Sequence, residues 1–140
     1  MNNELFAIKL YEMEKAYGHL QSRIRVCQSA DQAKIRQELA RLEDECLENE
    51  IMLSNTAHCS RTPLASRLAQ AQLTCRQSSE ACLHAALAQN DDAAEQANAA
   101  ALYAEYAIDQ AVQSMNHALH AVLLALDMQL TAEKESEVPS

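Results

Sequence analysis

Apolar residues recur along this chain in steps of four and three, the spacing that lines one face of a helix packed nearly parallel to its neighbours. The first such line is Phe6, Leu10, Met13, Tyr17, Leu20, Ile24 and Cys27. It predicts a helix over about residues 3–28, with Gly18 in its interior at a cost of about 1 kcal/mol relative to Ala. Ser29-Ala30-Asp31-Gln32 reads as a turn carrying a capping box, in which Ser29 and Gln32 each satisfy a free backbone N–H. The second line is Ile35, Leu39, Leu42, Cys46, Asn49, Leu53 and Thr56, on a helix that reaches Cys59. A buried Asn at the Asn49 position would fix register, whereas at the edge of the seam it would carry no such role.

Thr62-Pro63 is the clearest boundary, because Thr caps a helix and Pro suits its first position, where no donor is needed. The third line is Leu64, Leu68, Ala71, Cys75, Ser78, Cys82 and Ala85, on a helix from Pro63 to about Gln89. Asp92 and Glu95 form a second capping box and open a long helix. That helix runs from Asp92 to about Thr131. It is mostly alanine as far as Ala107, then rich in large apolar residues such as Ile108, Val112, Met115 and Leu119.

Three similar helices and one longer one, joined by short turns, predict an all-α fold: an antiparallel up-down-up-down four-helix bundle with a long, Ala-rich C-terminal helix. One domain is expected over residues 1–132, followed by a disordered acidic tail over 133–140. Composition agrees: one Gly and two Pro leave few of the residues that turns and hairpins consume.

The fourth helix has a consequence for function. At about 40 residues against about 27 for the third, it outreaches its companions by roughly 15–20 Å. The overhang, from about His120 to Leu130, carries Val122, Leu123, Leu124, Leu126, Met128 and Leu130. An apolar patch of that kind is seldom left exposed on a monomer, so Leu119, Val122, Leu123, Leu126 and Leu130 are the expected interface of a homodimer or of a protein client.

Charge narrows the partners. A net charge of −9 opposes binding to nucleic acid and docking on anionic lipid. No basic segment followed by an apolar run opens the chain, and no stretch is apolar for long enough to span a bilayer. Five Cys, an odd number spread along helices, suit reduced thiols and a cytoplasmic location.

Candidate chemistry is thin. His58, Cys59, His117 and His120 combine imidazole and thiol groups that Zn or Cu takes, and they form the rival reading, a metal-binding helical bundle. Their spacing matches no metal signature. Met13, Cys46, Cys75 and Cys82 offer soft sulfur for Cu(I), although a lone buried thiol usually packs as a small apolar group. No Glu-x-x-His motif of di-iron bundles occurs, since Glu80 and His84 stand four apart. With no phosphate loop and no nucleophile motif, the expectation is a non-enzymatic protein, with no cofactor, that acts by binding protein as an adaptor or chaperone does.

Overall fold

A computed structural model describes residues 3–137, with side chains from Phe6 onward. Among the described residues the fold is all-helical: α1 spans Asn3–Gln28, α2 Gln32–Cys59, α3 Pro63–Gln89 and α4 Ala93–Glu137. The first three helices keep the predicted bounds. The fourth does not: it passes Thr131 and runs to Glu137, so residues 133–137 of the expected tail are helical. Glu133, Lys134 and Glu135 are good helix formers, and no Pro stands before Pro139. The rest of the expected tail, residues 138–140, lies outside the described residues.

The caps follow local chemistry. The N-cap of α2 is Asp31 rather than Ser29; its Oδ1 accepts from the Lys34 N–H at 2.9 Å. Ser29 instead donates to the Val26 carbonyl at 3.4 Å and so belongs to the end of α1. Thr62 and Pro63 open α3 as expected, although the Thr62 side chain makes no capping bond. Asp92 caps α4, its Oδ1 accepting from the Ala94 N–H at 3.2 Å.

The chain forms two compact units. One runs from Ser22 to Ala100 and holds the end of α1, all of α2 and α3, and the start of α4. Within it α2 and α3 pack together as a hairpin. Ser66 donates to the Ala57 carbonyl near the turn, and further out Arg76 pairs with Glu50 at 3.3 Å. At the next turn the Gln96 amide donates to the carbonyls of Leu87 at 3.2 Å and Asn90 at 2.7 Å, tying off the end of α3.

The face that α3 buries is not the predicted one. Ala69 and Leu73, 5% and 8% exposed, are the buried apolar residues among those described, and Ala65, Arg76, Leu83 and Leu87 continue their line half-buried. Leu64, Leu68, Cys75 and Cys82 lie on the exposed side. The true line also steps by four and three, but it contains Arg76 and Glu80, which make it look polar in the sequence. The structure resolves this by pairing. The Arg76 Nε lies 3.0 Å from Glu80 and 3.3 Å from Glu50, so the charges enter the interface together. On α2 the half-buried residues are likewise Glu38, Glu45, Cys46, Glu50, Leu53, Ser54 and Ala57, while Ile35, Leu39, Leu42 and Asn49 are exposed. Asn49 therefore has no buried register-fixing role within this chain.

The other unit joins α1 as far as Gln21 with α4 from Ala101 onward. None of its described residues is buried; Phe6, Tyr103, Ala118, Val122, Ala125 and Leu126 are half-buried. Gly18 has open space where a Cβ would stand, with nothing within 4 Å, so it serves no close helix approach.

Candidate functional site

Large apolar side chains are exposed on all four helices, among them Leu10 and Leu20 on α1, Ile35 and Leu39 on α2, Leu64 and Leu68 on α3, and several in the second half of α4. Leu119 is 59% exposed, Leu123 55% and Leu130 48%, while Val122 and Leu126 are half-buried. Leu124 and Met128 add exposed apolar surface on the other sides of the helix. No Lys or Arg stands between Ala101 and Glu133, so the charged groups of this stretch are Glu105, Asp109 and Asp127.

α4 is the longest helix among the described residues. Its 45 residues compare with 26 in α1, 28 in α2 and 27 in α3. At 1.5 Å per residue that is about 68 Å against about 39–42 Å.

The imidazole and thiol groups are placed less usefully. His117 and His120 come together, their rings stacked at a centroid distance of 6.5 Å and an angle of 20°. His58 and Cys59 are exposed at the end of α2, in the other unit. Among the described residues, no three His, Cys, Asp or Glu side chains converge as metal ligands would. Cys46, Cys75 and Cys82 belong to the α2–α3 unit and Met13 to the other. All five thiols are free.

Two ion clusters hold the α2–α3 unit together, and sequence spacing gave no sign of either. The Arg23 Nε donates to Glu38 at 2.6 Å and its Nη1 to Glu45 at 2.8 Å, which fastens the end of α1 to α2. The Arg23 Nη2 lies 2.5 Å from the same Glu38 oxygen, yet it is too poorly aligned to form a hydrogen bond. Glu45 and Glu38, in that order, hold the guanidinium above its usual range, and Arg23 in turn holds Glu45 below the usual carboxylate range. Arg76 is likewise held charged, first by Cys46 and then by Glu80. These charges are neutralised within the chain, and each bonds its partners across or along helices. The arrangement is that of structural clamps between and along helices.

No helix among the described residues is long and apolar enough to cross a membrane. Compared with known families, curated proteins and solved structures, the chain matches none. The functional reading therefore rests on the surface of α4 and on the chemistry around it.

Proposed function

We propose that this chain is a non-enzymatic protein-binding helical bundle that associates with a second copy of itself through the far half of α4. The carrying observation is that α4 continues unbroken to Glu137 with Leu119, Leu123 and Leu130 exposed along it. Val122 and Leu126 complete the proposed interface. In this reading the four helices of each copy run up-down-up-down, and the free thiols suit a reducing, cytoplasmic setting.

Surface area supports a partner. The chain exposes 11670 Å². Two separate compact bodies of the sizes of its two units would expose about 8600 Å² together. The surplus is about 3000 Å² per copy, or about 6000 Å² for two, so a permanent dimer, which buries about 2000–5000 Å² in total, would cover only part of it.

Light scattering after gel filtration tests the reading. The full chain is expected at twice 15.5 kDa, and the Leu123→Glu/Leu126→Glu variant at the single mass. A wild-type protein that runs at the single mass would overturn self-association. In that case co-purification with a different protein, lost in the same variant, would mark the surface as a client site.

A further inference from the structure

We infer that the second copy lies antiparallel on α4, with Leu119 of one copy against Leu130 of the other, Leu123 against Leu126, and His120 beside Asp127 across the seam. This rests on the self-association proposed above and specifies its geometry.

The first support is a leucine register. Leu119, Leu123, Leu126 and Leu130 are spaced four, three and four residues apart on an unbroken helix. That spacing reads the same in both directions. A two-fold axis perpendicular to the helix, passing between Leu124 and Ala125, therefore maps the set onto itself. It gives four successive layers of leucine on leucine, which is the self-complementarity an isologous interface needs.

The second support is charge, and it selects the direction. A parallel pair would also align leucine with leucine. It would, however, set Asp127 against the second copy's Val122 and His120 against its Met115, leaving a carboxylate beside an apolar side chain. The antiparallel pair puts Asp127 and the second copy's His120 within about 3 Å of one another along the axis. Symmetry makes that pair twice. His120 is exposed, with its ring stacked on His117 at 6.5 Å, so it stands where a partner helix can reach it. Asp127 is exposed as well, and it is the single acidic residue between Asp109 and Glu133. A carboxylate in the middle of a leucine surface is costly to cover unless a donor comes with the cover. The second copy's imidazole is that donor.

Sedimentation of the full chain tests the register. His120→Asp sets two carboxylates together on each side of the seam, and it is expected to weaken the dimer about tenfold. The exchange variant His120→Asp/Asp127→His restores the pair with its members swapped, and it is expected to return the dimer to about wild-type strength. A photo-crosslinking benzoylphenylalanine at Gln129 gives a second readout that does not depend on strength. It is expected to link to the second copy near Val122, whereas a parallel pair would link near Lys134. A dimer that Leu123→Glu/Leu126→Glu breaks, but that ignores His120→Asp or crosslinks near Lys134, would overturn the antiparallel register alone. A dimer indifferent to the leucine variant would overturn the earlier reading with it.

Discussion

Gly18 shows what a single position contributes when nothing packs on it. It lies inside α1 with open space at its missing Cβ, so it incurs the backbone entropy of glycine in a helix without a close approach in return. Gly18→Ala is expected to raise stability by about 0.5–1 kcal/mol, read from the midpoint of a denaturant curve. A loss of stability would mean that some chain, a second copy included, fits against that spot. Single residues were only partly legible in the sequence. Asp92 could be read as a cap because it immediately precedes an alanine run. At the first turn Ser29 and Asp31 competed, and Asp31 caps because it stands three residues before the Lys34 N–H that its carboxylate accepts from. Arg76 was unreadable, because its acceptors on α2 lie far away in sequence and only the hairpin brings them near.

Among the elements, α3 separates what spacing reveals from what it hides. Its bounds were legible, since Thr62-Pro63 and Asn90 punctuate the chain strongly. Its buried face was not. Two lines of small and apolar residues share α3 about 100° apart, and the one containing Leu64 and Leu68 carries fewer charges. Pattern alone therefore favours the wrong line, because it cannot see that Glu50 and Glu80 will neutralise Arg76. The two lines make different predictions. Leu73→Ala is expected to cost about 2–3 kcal/mol, since Leu73 is one of the few side chains withdrawn from water. Leu68→Ala is expected to change stability by less than about 0.5 kcal/mol. Thermal melts of the two variants measured side by side decide the matter. Equal losses would show that the exposed line of α3 is covered in the folded protein. The length of α4 was partly legible too: its start after Asp92 was readable, while its continuation past Thr131 to Glu137 was not.

For the whole molecule, the question is whether one copy can be stable alone. Folding orders every residue at an entropic cost of about 1–2 kcal/mol each, and buried apolar surface is the main term that offsets it. Few described side chains in this chain leave water, and one of the two units has none that is buried. Cover over the leucines of α4, as proposed above, would add to the chain's stability. If that cover is a second copy, folding and association are one equilibrium, and stability must depend on protein concentration. Tm is therefore expected to fall by about 2–4 °C for each tenfold dilution of the full chain. The Leu123→Glu/Leu126→Glu variant, with no partner to lose, is expected to melt lower and at the same temperature at every concentration. Scanning calorimetry over a hundredfold range of concentration separates these behaviours. A wild-type Tm that stays constant across that range would show that each copy holds its fold unaided, and the exposed surface of α4 would then have to serve a different protein.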